Sequence, residues 1–207
     1  LDLSGDVSVA DPLLHSAFAA SITTRIKFGT AVMILPQCNP LYVAKEVASL
    51  DLLSGGRMLL GIGSGWLAEE FGALQLDWKK RGLMTDEAIQ SLRALWRENL
   101  STFNGKYFNF TAVRSFPKPV QAGGVPILVG GHSPAAVRRA AKFGDFSLQW
   151  ASSKDSRGRS TLTRSGVFVT YWKSLKSECE KIGRDYSKME DIGYRPRRAR
   201  YAQAVAG

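Results

Sequence analysis

The sequence predicts an α/β fold of the TIM (β/α)8 barrel type, incomplete in this chain, and three observations carry the prediction. Apolar strand-like runs and helix-period segments alternate along the 207 residues, the order expected of a parallel sheet covered by helices. Two of the apolar runs end directly in glycine-rich loops, Gly61-Ile62-Gly63-Ser64-Gly65 and Gly130-Gly131-His132-Ser133. Such loops at strand C-termini are where α/β proteins place their ligand sites. Four strands read clearly (residues 26–35, 57–63, 126–130 and 145–150) and one more weakly (189–194), against the eight that close a barrel. A Rossmann fold is the competitor, and it would want G-x-G-x-x-G opening a helix with an acidic residue about 20 positions on. Here the third glycine comes one residue early, and Asp86 sits at the start of its own helix.

Composition bounds the answer. A hydrophobic share of 44% suits a globular protein with a sizeable core. No apolar run approaches the roughly 18 residues of a membrane span. Residues 1–11 are polar and acidic, unlike a signal peptide, and the chain starts at Leu1, so its true beginning is expected to be missing. Cys38 and Cys179 are too few for a disulfide framework, so two free thiols in a reducing cytoplasm are expected. The net charge of +10 is uneven: residues 1–110 hold 10 basic and 11 acidic side chains, residues 111–207 hold 18 and 7. The densest part is Arg195-Pro196-Arg197-Arg198-Ala199-Arg200. A tail of this kind can hold phosphate backbones, and its plainer reading is a solvated end.

The elements follow in order along a single domain, residues 1–207. After a loop, Asp11-Pro12 starts a helix over residues 13–23, with Asp as cap and Pro in the first turn. His15 on it reads as a surface or packing residue. The strand 26–35 contains Gly29, which suggests a bulge or a close backbone approach. Asn39-Pro40 starts the next helix, on which Val43, Val47 and Leu50 keep helical spacing up to Gly55. After the Gly61–Gly65 loop, Glu69 and Glu70 point about 100° apart on a helix, so they complement its dipole rather than form an acid/base pair.

Thr85 is read as the cap of a helix carrying Ala88, Ile89, Leu92, Leu95 and Trp96 on one stripe. Asn104-Gly105 between aromatic runs signals a hairpin, so residues 101–119 read as an excursion from the alternation. The strand 126–130 leads to Gly130-Gly131-His132-Ser133-Pro134, where Ser133 caps a helix closed by Gly144. Free N–H groups, a dipole and paired glycines make that point a ready phosphate site, and equally an ordinary capped helix. A polar connector, residues 152–160, precedes a helix with Phe168, Tyr171, Trp172, Leu175, Cys179 and Ile182 on a core-facing stripe. Residues 195–207 form the basic tail.

Several segments together resemble one family. They are Thr24 to Val32, Asn39-Pro40, Ala44-Lys45, Ser49 to Arg57, the Gly61–Trp66 loop with Glu69-Glu70-Phe71, Pro117 to Gln121, and Val129-Gly130-Gly131. In order and spacing, from about residue 11 to 148, they resemble the luciferase-like monooxygenases, particularly the branch dependent on the deazaflavin coenzyme F420. The resemblance implies a TIM-like barrel holding a flavin or deazaflavin at the strand C-termini. It implies a non-prolyl cis peptide at Ala31–Val32, behind the ring. It implies contacts to the cofactor phosphate and side chain from Gly63, Ser64 and Gly65 and from Gly130, Gly131, His132 and Ser133.

Flavin-binding relatives often carry an arginine near the Ser64 position, and its absence here leans towards F420 over FMN. The family's first two strands, with the acidic and His residues after the second, would precede Leu1. Catalytic side chains are therefore not assigned, and no metal ligands are.

The implied function is an F420- or flavin-dependent oxidoreductase passing a hydride to or from a small organic substrate. The enzyme alternative is an FMN-dependent monooxygenase that uses oxygen and reduced flavin from a partner reductase. A rival of another class is a non-catalytic, truncated paralogue. Nucleic-acid binding by the basic half ranks last, because its aromatics lie on core stripes rather than among the arginines. Relatives are often homodimers, though no segment here shows an interface by itself.

Overall fold

The computed structural model describes residues 10–148, 153–154, 160–161 and 166–189. The first helix, α1 (Pro12–Ser21), starts where Asp11 accepts hydrogen bonds from Leu13 N and Leu14 N, both at 2.9 Å. It stops before residue 23. Thr23 turns its hydroxyl onto Ala19 O, and the Arg57 guanidinium donates to Ala20 O, Thr23 Oγ1 and Ile26 O. Arg57 and Thr23 thus satisfy two of the carbonyls that the helix end leaves open, Ala20 O and Ala19 O.

The run 26–35 is two short strands. β1 (Phe28–Gly29) pairs with the start of β3 (Met58–Gly63), and β2 (Met33–Ile34) pairs with its end. The four-residue step from Gly29 to Met33 faces a three-residue step from Leu59 to Ile62, so one extra residue bulges out. The cause is close backbone contact. A Cβ on Gly29 would stand 2.4 Å from Leu59 O, and one on Gly61 would stand 1.8 Å from Thr30 O. Thr30 Oγ1 also donates to Gly61 O at 2.6 Å, and the Ala31–Val32 peptide is cis.

β3 lies at the centre of a parallel sheet. β6 (Ile127–Gly130) flanks it on the side away from β1 and β2, and β7 (Phe146–Leu148) flanks β6. Within the expected strand 145–150, residues 149 and 150 lie outside the described residues. Two helices pack together beside the sheet, α2 (Pro40–Ser54) and α4 (Arg81–Arg97), with the short α3 (Ala68–Ala73) between them in sequence. Asn39 caps α2, and Gly55 closes it at φ +67°, in the left-handed region that glycine tolerates. Leu35, Val43, Val47, Met58, Leu60, Ile62, Ile89, Leu92, Leu95, Trp96, Ile127 and Val129 form the core, and Trp96 Nε1 donates to Ala44 O at 3.1 Å.

The start of α4 differs from the expectation. It follows a 3-10 turn, Trp78–Lys80, capped by Asp77, so Thr85 already lies inside the helix and donates back to Arg81 O at 2.7 Å. Asp86 accordingly sits in the second turn rather than at the helix start.

Beyond α4, β4 (Ser101–Asn104) and β5 (Asn109–Val113) form an antiparallel hairpin with Phe103 stacked on Phe110. Glu87 on α4 holds its turn, accepting from Lys106 N at 2.9 Å, Tyr107 N at 2.7 Å and Phe108 N at 3.3 Å. The fully buried Asp51 carboxylate accepts from Val120 N, Gln121 N and Gln121 Nε2, tying the segment after the hairpin to α2.

Helix α5 (Pro134–Phe143) follows β6 and packs on α6 (Gly166–Lys181). On α6, Leu175 and Cys179 are buried, while Ile182 is 52% exposed. Ile182 falls past the helix end, where Gly183 at φ +67° turns the chain so that Arg184 can donate to Ala141 O and Gly144 O. The side chains of Phe168, Tyr171 and Trp172 lie outside the described residues. In the connector 152–160, two-residue strands β8 (Ser153–Lys154) and β9 (Ser160–Thr161) pair antiparallel, and the rest lies outside the described residues. Met189 ends a 3-10 turn, Tyr186–Met189; the rest of the expected strand 189–194 and the basic tail lie outside the described residues.

Candidate functional site

Parallel pairing brings the C-terminal ends of β2, β3 and β6 side by side, with Ile34 opposite Gly63 and Ile62 opposite Val129. The loops carrying Gly63, Ser64 and Gly65 and carrying Gly130 to Ser133 therefore emerge next to each other. Val32, at the end of the bulge, stands between them. A Cβ on Gly63 would lie 2.8 Å from Val32 Cγ2, and one on Gly130 would lie 2.8 Å from Val32 Cγ1. Val32, Gly63 and Gly130 are thus brought together, with Ala31 exposed beside them.

The close approach that the glycine pattern suggests is made, at several positions, by the chain itself. Thr30 occupies the space over Gly61, Val32 that over Gly63 and Gly130, and Phe71 and Ile34 that over Gly65, which also needs φ +78°. Gly131 turns at φ +111° into α5. His132 and Ser133 are exposed at the helix start. The Ser133 hydroxyl accepts from Ala136 N at 3.2 Å. Pro134 has no N–H and Val137 N donates to Ser133 O at 2.9 Å, which leaves the Ala135 N–H and the helix dipole to favour an anionic group.

Two arginines that the linear pattern does not disclose hold the first loop from behind. Arg139 on α5, only 8% exposed, pairs with Asp86 through Nε, donates from Nη1 to Ser64 Oγ at 3.1 Å and from Nη2 to Gly82 O at 2.9 Å. Arg81 Nε donates to Gly65 O at 3.2 Å, with its guanidinium 3.7 Å over the Trp78 ring. An arginine therefore stands against Ser64, from 75 positions away in the chain. The only local sequence signal was the position of Arg139 two turns into a helix that opens on a glycine loop.

Around these loops, Trp66 is 79% exposed, and Glu70 on α3 accepts from Gln37 Nε2 at 3.0 Å. Burial first, then the Glu46 and Asp11 charges, push the Cys38 thiol up, so it stays protonated and is no nucleophile at neutral pH. Among the described residues no three His, Cys, Asp or Glu side chains group as a metal site. What the loops offer is a set of hydroxyl and backbone donors at parallel strand ends. Donors of this kind suit the oxygens of an anionic ligand.

The parallel sheet, its covering helices and the loops at the strand C-termini define a protein of the TIM-barrel type. The chain belongs to the luciferase-like monooxygenase family, whose model matches residues 3–164. An uncharacterised protein of Mycobacterium bovis is 37% identical over 127 residues, 61% of this chain and 43% of that one. The pyrimidine monooxygenase RutA of a Bradyrhizobium species is 36% identical over 64% of this chain and 38% of its own. The F420-dependent glucose-6-phosphate dehydrogenase of Amycolatopsis mediterranei is 31% identical over 61% and 38%. Among solved structures, the monooxygenase RslO1 from Streptomyces bottropensis superposes with a TM-score of 0.72 at 25% identity, covering 84% of this chain and 51% of that one. The chain spans less than half the length of these curated relatives. No helix among the described residues is long and apolar enough to cross a membrane.

Proposed function

We propose that this chain forms the cofactor-holding part of an oxidoreductase that binds F420 and acts on a small organic substrate. The observation that carries the reading is the meeting of Val32, Gly63 and Gly130 at three neighbouring strand ends, beside the capped start of α5. The likeness to an F420-dependent dehydrogenase supports it. When bound, the cofactor supplies the redox chemistry by exchanging a hydride with the substrate. The residues of this chain position it: Ala31 and Val32 against the ring, Ser64 and the Gly130–Ser133 loop towards its oxygens. A second reading, a flavin-dependent monooxygenase, is favoured by the likeness to RutA and by the arginine behind Ser64.

Titration of the chain with F420 and with FMN, followed by protein fluorescence, tests both. Gly63→Val would be a poor probe, since its side chain would run into Val32. Ser64→Ala and the exposed His132→Ala are milder. Saturable F420 binding weakened by either substitution supports the first reading, and binding of FMN alone supports the second. A folded chain that binds neither overturns both.

A further inference from the structure

We infer that Arg139 is a positioning residue that sets the Ser64 hydroxyl as a hydrogen-bond donor towards an anionic oxygen of the bound ligand. The inference rests on the cofactor reading above, and it concerns how this chain orients one atom of that site.

A guanidinium has five N–H donors and no acceptor, so in the contact of Arg139 Nη1 with Ser64 Oγ the serine oxygen can only accept. The single serine proton must point elsewhere, and no protein acceptor among the described residues takes it. Ser64 is half-buried at the open end of β3, so that proton is left for a partner from outside the described residues. A charged donor behind a hydroxyl polarises it and strengthens the bond it gives in front.

The local charge agrees. Arg81 and Arg139 both reach this loop, and Asp86 pairs with Arg139 while Arg81 bonds backbone carbonyls. One positive charge is left over, which favours an anionic partner such as a phosphate oxygen. Arg139 gives three of its five donors to Asp86, Ser64 and Gly82 and is only 8% exposed, which keeps it behind Ser64. It also sits on α5, the helix that begins at the Gly130–Ser133 loop. One helix therefore fixes both loops, one through its N-terminus and the other through a side chain on its second turn.

The test is a double-substitution cycle on the full chain: Ser64→Ala, Arg139→Lys and the two combined, titrated with F420 and FMN. Lysine keeps the charge near Asp86 but cannot reach three partners at once. Each single change should weaken binding roughly tenfold, the scale of a lost charge-assisted hydrogen bond. The double variant should bind no more weakly than the weaker single, because both remove the same bond. Losses that multiply overturn the inference, as does a loss in Arg139→Lys with none in Ser64→Ala. Ser64→Thr, which keeps the hydroxyl, should bind within a few-fold of the parent.

A second readout needs no ligand. Amide hydrogen exchange at residues 63–66 should quicken in Arg139→Lys while residues 58–62 stay protected, and unchanged exchange overturns the positioning role. If the parent chain binds neither cofactor, the cofactor reading and the ligand half of this inference fall together, and the exchange result decides the positioning half alone.

Discussion

Replacing Gly61 by alanine should destabilise the chain sharply, and the size of the effect follows from the bulge. The new methyl would stand 1.8 Å from Thr30 O and 2.9 Å from Thr30 C, both backbone atoms, where ordinary contact begins at 3.4 Å. The bulge and β3 would have to separate by about 1.6 Å, since no side chain can swing aside. Overpacking of this kind costs about 1–3 kcal/mol. Moving Thr30 also breaks its buried bond to Gly61 O, about 0.5–1.5 kcal/mol more. A loss of about 2–4 kcal/mol is a large part of the roughly 5–15 kcal/mol of a typical domain.

The control is Gly72→Ala on α3, where an added methyl meets nothing within 4 Å. Its backbone is helical, so alanine should stabilise by about 0.4–1 kcal/mol through the unfolded chain. Urea denaturation of both variants, followed by tryptophan fluorescence, measures the contrast. A Gly61→Ala chain within about 1 kcal/mol of the parent, or equal effects at the two sites, would refute the close contact as the reason for that glycine.

Two further outcomes are expected. Glu87→Ala removes the acceptor of three hairpin amides and should cost about 1–3 kcal/mol, with hydrogen exchange quickening across β4 and β5; exchange confined to the helix would contradict this. Cys38, whose thiol is pushed up by burial, should be alkylated slowly at neutral pH, with a rate still climbing above about pH 9. Because its folded pKa is raised, the stability tied to its protonation is present below the ordinary thiol range and lost as pH rises through the folded value. A rate that levels off near neutrality would show a low-pKa thiol instead.

How much of this was legible in the sequence depended on how far each signal reaches along the chain. Asp11, Asn39 and Ser133 cap helices through bonds to residues two or three positions on, and each could be read from its neighbours. The buried stripes of α2 and α4 were legible because a repeat of 3.6 residues is local too. The start of α4 was not, because a 3-10 turn led into it and Thr85 resembled a cap where it only bonds back to Arg81. The division of 26–35 into two strands depends on Gly61, whose contact lies 31 positions away. At the candidate site the glycine loops were visible in the sequence, but the guanidinium behind Ser64 was not. Nothing in the spacing of Asp86 and Arg139 marks them as partners until the helices that carry them have packed.

The placing of Val32 has a consequence for how this chain can change over time. Its two methyl groups fill the room beside Gly63 and beside Gly130, so the three residues share one small space. None of them can grow alone. An alanine at 63 would be tolerated only with a smaller side chain at 32, and that exchange would in turn open a gap beside 130. Among descendants of this chain, the three positions should drift as a linked set, trading methyl groups with one another while their combined bulk stays constant.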